Sequence, residues 1–183
     1  MLIEITTSGV GNRKGNIIIS GDYLDLKTAV ETYMAGANLA GANLSLADFS
    51  GANLIGANLE NANLCSANLC GANLHDSNLC GAKLRRANMM DADLSGAILC
   101  GANLENANLS GANLTDADLS NAWLECADLE NANLQGANLK DADLFDAILK
   151  NADLRSANLT GVNLEDTEMS GANLLGAIRD PID

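Results

Sequence analysis

A chain of 183 residues with 24 acidic and 10 basic side chains carries a formal net charge of -14 and has room for one domain, or one domain with a small appendage. That balance argues against direct binding of nucleic acid, which requires Lys and Arg clustered against the phosphates. No apolar run approaches the roughly 20 residues that span a bilayer, so no membrane partner is expected.

The chain opens on Met1-Leu2-Ile3-Glu4, with no charged leader ahead of an apolar core, so no secretory signal is expected. Five cysteines, at 65, 70, 80, 100 and 126, show no CxxC spacing. Their odd number and the missing leader predict reduced thiols and a cytoplasmic setting. Residues 2–7 and 16–20 are apolar and β-branched enough to read as two strands, joined by a polar, Gly-containing loop over 8–15. From Leu24 to Met34 the apolar residues fall at 26, 29, 30, 33 and 34, which is helical spacing. Asp22 or Asp25 would cap that helix and Gly36 would stop it. The expected ββα segment over 1–35 has too little core to stand alone. It is expected to cover one open end of the repetitive tract beyond it, where exposed strand edges would invite aggregation.

From Ala37 to Gly176 the chain is 28 consecutive five-residue units, most reading Ala-Asn/Asp-Leu-x-x, with no insertion or deletion. The third position is Leu in 25 units, Met in two and Phe in one. The first is Ala except at Ser77, Val162 and Thr167. A period of five smears around a helix and breaks the alternation of a long strand. It fits a very short extended piece and then a corner. Positions one and three then point inward, and position two points outward. The last position is Gly in 12 units and often Asn or Asp otherwise, residues that tolerate the positive φ of the third residue of a type II turn. A chain that turns every five residues with one apolar side inward must coil, and successive coils can pair as parallel strands about 4.8 Å apart. The only proline, Pro181, lies beyond the units, where it removes no ladder donor. The predicted core is a stack of third-position residues represented by Leu39, Phe49, Leu79, Met89, Leu119, Leu159 and Met169, each Leu worth about 2 kcal/mol when buried. The coiled region is expected over 36–178, with a short tail over 179–183.

This tract resembles the pentapeptide-repeat family, whose motif is A(D/N)LXX, over about three quarters of the chain. The resemblance implies an all-β fold, a right-handed quadrilateral parallel β-helix with four units per coil. Twenty-eight units would then make seven coils, a rod roughly 34 Å long, in which residues 20 apart lie over one another. On that geometry Arg85, Glu105, Glu125, Phe145 and Glu165 form one column, and Trp123 lies over Asp143 on the same face. Cys80 and Cys100 would stack on adjacent coils at a spacing that suits a disulfide or a soft metal. Two thiols with no further ligands make a poor metal site, and free thiols are the expectation. Members that resemble gyrase-protecting proteins dimerise through their C-terminal ends with an added helix that this sequence does not show. The bare last coil needs a cover, and two are open: the tail folded over it, or a second copy abutting end to end as a homodimer.

The single His75 has no companion histidine and sits at a solvent-facing corner position, where a surface role is expected. No Ser-His-Asp set, phosphate loop or metal signature stands out, and a filled rod encloses no pocket for an acid/base pair. No enzyme activity, cofactor or metal is expected. Charge is the informative asymmetry. Residues 91–146 hold eleven acids against Lys140 alone, just after the basic spot Lys83, Arg85, Arg86. Trp123 breaks the Asn/Asp rule, and an exposed aromatic within a charged rim marks contact surfaces. The candidate contact face is Glu105, Trp123, Glu125, Asp143, Phe145 and Glu165. Acids also keep a repetitive rod soluble and suppress edge pairing. The expected function is a rigid, non-enzymatic scaffold offering this face to an unidentified protein partner. The alternative implied by the resemblance is a DNA mimic that binds DNA gyrase, as quinolone-resistance members do. Those members are richer in Phe at the central position and Cys at the small one, often with a break between repeat blocks, and this chain departs from them on each count.

Overall fold

A unit with Asn or Asp at its second position and a coil on either side places all five of its backbone N–H groups, and that accounting explains the fold. The computed structural model describes residues 3–4, 18–19 and 34–180. In the coiled part, the third-position N–H donates to the carbonyl of the second position one coil later, as in Leu39 to Asn58 at 2.7 Å. The fifth-position N–H donates forward in the same way, as in Gly41 to Glu60 at 2.8 Å. The second-position N–H donates backward, as in Asn58 to Ala37 at 2.9 Å. The first-position N–H closes the corner, as in Ala42 to Leu39 at 3.0 Å. Parallel bridges join each second position to its counterpart 20 residues on, from Asn38 with Asn58 to Asn158 with Ile178. A coil is therefore four units, and the rod has four sides.

The fourth-position N–H is left over, and the Asn or Asp side chain takes it. Asn58 Oδ1 accepts the Glu60 N–H at 3.1 Å, and Asp128 Oδ1 accepts the Glu130 N–H at 2.9 Å. This local turn is a conformation that Asn and Asp favour. The amide also donates to the coil before it, as Asn63 Nδ2 does to Asn43 Oδ1 at 3.0 Å and Asn158 Nδ2 to Asn138 Oδ1 at 3.1 Å. The second position points outward as expected, yet its polarity serves the backbone as much as solvent.

Every fifth position from Gly41 to Gly176 has φ between 54° and 76°. Twelve are Gly and the rest are mostly Asn and Asp, which bear the left-handed conformation best among side-chain-bearing residues. Leu46, at φ 63°, is the one aliphatic residue among them and is exposed to solvent.

The first and third positions fill the interior. Leu39, Leu79, Met89 and Leu119 are 0% exposed, Leu159 3% and Phe49 5%. Met169 departs from the expectation: it packs on the core but is only partly buried, because no further coil lies over it among the described residues. Ser77 is the one buried polar residue described, and its hydroxyl has no hydrogen-bond partner.

The ends correct the sequence reading in two places. Ile3–Glu4 (β1) pairs antiparallel with Ile18–Ile19 (β2), with Ile3 opposite Ile19. The remainder of both expected strands, their loop and the expected helix over 24–33 lie outside the described residues. Met34, expected on the last turn of that helix, is not helical. It is a buried third-position residue whose carbonyl accepts the Ala37 N–H at 3.0 Å. Gly36, expected as a helix stop, is the fifth-position corner residue of the same unit, at φ 67°. Met34, Ala35 and Gly36 thus take the last three positions of a unit ahead of Ala37. At the other end, Asp180 Oδ2 accepts the Gly161 N–H at 2.7 Å, where a further coil would place a backbone carbonyl.

Candidate functional site

Because fourth and fifth positions form the corners, their side chains line the four edges of the rod in columns 20 residues apart. One edge carries Arg85, Glu105, Glu125, Phe145 and Glu165, the column expected from sequence. The side leading into it carries Trp123, bridged to Asp143 on the next coil. At the basic end, Arg85 Nη2 meets Glu105 Oε1 at 3.0 Å. Among the described residues, no such cation meets Glu125. Partial burial pushes its carboxyl up, with the Asp143 and Glu105 charges and a hydrogen bond to Asp143 acting in the same direction. Asp143 is tied down: its Oδ1 accepts the Phe145 N–H at 3.0 Å and the Asn163 Nδ2 at 2.9 Å. Glu165 is exposed further along the column.

Trp123 cannot accept the Glu125 N–H as Asn would, and it stands 58% exposed on the surface. Phe145 is also exposed on the adjacent corner. The structure adds three residues that the sequence reading did not single out for this site. Ile148 is exposed just past the Phe145 corner, and Cys126 lies 3.7 Å from Asp146 Oδ2. Loss of hydration and the neighbouring carboxylates, Asp146 first, push the Cys126 thiol up, so it stays protonated. The available signal was Ile148, which breaks the Asn/Asp rule as Trp123 does. Together these residues make an apolar patch set in carboxylates.

On the diagonally opposite edge, two units away, His75 is the exposed corner residue expected from sequence, and it finds partners within the chain. His75 Nδ1 lies 2.9 Å from both the carbonyl and the hydroxyl oxygen of Ser95, and Nε2 lies 3.2 Å from Asp76 Oδ2. Ser95 Oγ donates to Asp93 Oδ1 at 2.6 Å. A step of one coil brings Ser95 to His75. The cluster does not assemble a nucleophile. The Ser95 carbonyl can only accept, so Nδ1 carries the hydrogen and cannot take the serine proton, which is already directed at Asp93. Burial alone would raise Asp93, but bonds from the Ser95 hydroxyl and N–H and from Asn113, with the nearby His75, hold its carboxyl below the usual value. Farther along, Arg155 binds Asp153 through Nε at 2.8 Å and reaches Gln135 Oε1 at 3.3 Å, and it holds Asp153 low.

Cys80 and Cys100 are joined by a disulfide, with Cα atoms 4.7 Å apart. This corrects the expectation of free thiols at both positions: the 20-residue coil places them directly in register. Cys65, Cys70 and Cys126 are free. Among the described residues, no group of three or more His, Cys, Asp or Glu is placed to hold a metal ion, and no helix is long and apolar enough to cross a membrane.

The family model for pentapeptide repeats matches in eight copies, over residues 30–64, 47–86, 87–122, 112–151 and 147–178. The chain belongs to the pentapeptide-repeat family. The match begins ahead of Ala37, in line with the repeat positions that Met34 and Gly36 occupy. Among solved structures, the pentapeptide repeat protein Rfr23 from the cyanobacterium Cyanothece 51142 is 45% identical, with a TM-score of 0.50. The aligned part is 51% of this chain and only 64% of Rfr23. A trypsin-treated variant of QnrB1, a plasmid-mediated fluoroquinolone resistance protein, is 25% identical over 82% of this chain and 86% of its own, with a TM-score of 0.53. No curated protein sequence matches this chain significantly. Pentapeptide-repeat proteins are right-handed quadrilateral β-helices, and the four-unit coil described above is that architecture.

Proposed function

We propose that this pentapeptide-repeat protein is a rigid, non-enzymatic scaffold that presents its acidic, aromatic edge to a protein partner. The observation that carries the proposal is Trp123, the only tryptophan in the chain, standing 58% exposed beside Glu125, Asp143 and Phe145. Exposed aromatics supply most of the energy at interface centres, and surrounding charges set partner choice and encounter rate. On this reading the 28 units from Ala37 to Gly176 make seven coils of one rigid rod. Partly buried Leu164, Met169 and Leu174 favour a second copy abutting the last coil. Partner binding should shift the Trp123 emission to the blue, and a Trp123→Ala/Glu125→Lys variant should not retain a protein that the wild type captures. Equal capture by both would sink the reading. Sedimentation velocity tests the homodimer against a single chain of 18.9 kDa.

The likeness to QnrB1 supports a second reading, in which the acidic edge occupies the duplex site of DNA gyrase. Supercoiling by gyrase, with and without ciprofloxacin, is the test. Inhibition or drug protection by the wild type and not by the double variant supports it. No effect of micromolar wild-type protein rules it out.

A further inference from the structure

Of the five cysteines, Cys80 and Cys100 are the only two separated by one 20-residue coil. Their backbones are fixed by the ladder on both sides. Leu79 N–H donates to Ile98 at 2.7 Å, Gly81 N–H to Cys100 at 2.9 Å and Asn103 N–H to Ala82 at 2.9 Å. The same bonds hold an edge that contains no cysteine, as in Asp116 N–H to Gln135 at 2.9 Å. The coil stack therefore sets the distance between the two thiols, and the covalent bond is an addition to a geometry that stands without it. Both residues occupy the outward corner position and remain partly exposed, so a small molecule can reach the sulfurs. A dithiol held in contact reacts as a unit, because the second exchange is intramolecular.

We propose that Cys80 and Cys100 form a reversible redox site that exchanges with low-molecular-weight disulfides while the coils stay folded, and that fastens two adjacent coils together when oxidised. In the first step one cysteine thiolate attacks the small disulfide, forming a mixed disulfide and releasing one small thiolate. In the second, the other cysteine thiolate attacks the protein sulfur of that mixed disulfide and releases the second small thiolate. The two protein thiols lose two electrons and two protons. The small disulfide gains both and leaves as two thiols. Reduction runs the same steps backward. Once closed, the bond ties a 20-residue loop, so neither coil can peel from the other at that edge. It sits at the corner leading into the Lys83 and Asn103 side, one coil ahead of Trp123, and does not depend on the proposed partner.

The test uses the full chain equilibrated with glutathione buffers of increasing oxidised fraction, acid-quenched, alkylated and weighed by peptide mass spectrometry. Cys80 and Cys100 should convert together in one transition, with Cys65, Cys70 and Cys126 alkylated throughout. Far-UV circular dichroism should be unchanged across the series, and the oxidised form should melt about 5–10 °C higher. That redox-dependent shift should vanish in Cys80→Ser and in Cys100→Ser and persist in Cys126→Ser. The inference is overturned if both thiols stay free at full oxidation or a glutathione adduct accumulates. Loss of the β-helix signal on reduction, or a shift that survives in Cys80→Ser, would overturn it equally.

Discussion

The two diagonal edges of the rod are built from the same corner positions of the same repeat, yet they treat charge in opposite ways. On the edge of His75, Ser95, Thr115, Gln135 and Arg155, polar groups find partners within the chain. Thr115 Oγ1 donates to Asn113 at 2.7 Å and accepts from Asn133 at 2.9 Å, and Asp93 and Asp153 are held low by their bonds. On the edge of Glu105, Glu125, Phe145 and Glu165, an acid is pushed up by burial and like charges, and apolar side chains face water. Stacking identical units at one coil spacing means that each substitution meets only its neighbours 20 residues away. An edge is quiet where those neighbours are complementary and frustrated where they repeat the same sign. The frustrated edge is the one with something to gain from a partner.

The sharpest way to break that contrast is to remove an acid from each edge. Asp93→Ala strips the acceptor from the Ser95 hydroxyl and N–H and from Asn113, and should cost about 1–2 kcal/mol in chemical denaturation. Glu125→Gln removes a like-charge conflict and should leave stability unchanged or raise it by about 0.5 kcal/mol at neutral pH. Equal losses would erase the distinction.

A gain of about 1 kcal/mol is expected from Trp123→Asn, which restores the acceptor for the Glu125 N–H and an amide that can donate to Asn103 on the coil before, with a melting point higher by a few degrees. The same variant should lose partner binding, so stability and function would move in opposite directions at one position. Ser77→Ala, which replaces a buried hydroxyl without a partner by the residue usual at that place, should gain about 1 kcal/mol and leave both edges untouched.

The smallest effect is in pH. Asp93 and Asp153 sit below their ordinary value of 3.8, so their contribution is complete above that value and is lost as pH falls through the folded-state values. Glu125 sits above its ordinary value of 4.5, so its protonated form favours the fold, and stability declines as pH rises through its folded-state value. Thermal melts between pH 3 and pH 7 should show the acid-side loss shrink in Asp93→Asn and the decline on raising pH shrink in Glu125→Gln.

The period itself makes the inward and outward positions legible, because Leu three places into each unit has no other way to be buried at every turn. The positive φ at the fifth position is legible from Gly and Asn together. The need for Asn or Asp at the second position shows in the sequence only as outward polarity, since no pattern of hydrophobicity reveals an unpaired N–H two residues on. Met34 reads as helical because Ala29, Val30, Tyr33 and Met34 share a helical face, and tertiary pairing through Gly36 prevails over that local signal. The link between Cys80 and Cys100 is visible as geometry, but the compartment argument from the missing leader points away from it. His75, Ser95 and Asp93 stay hidden because stacking at 20 residues places side chains in one column without showing which of them turn to hydrogen-bond each other.

The backbone ladder gives the rod a polarity that its four-sided outline conceals. Each unit turns two N–H donors and one carbonyl toward the following coil, and two carbonyls and one N–H toward the preceding one. A surface of one kind therefore matches a surface of the other kind, and two alike do not match. Asp180 shows the chemistry in miniature, offering a carboxylate oxygen to the Gly161 N–H. Backbone pairing between rods would favour head-to-tail growth, which does not close on itself. A closed pair meeting through its last coils would have to rely on side chains such as Leu164 and Leu174, so apolar fit at that junction, and no strand register, would decide whether two copies stop at two.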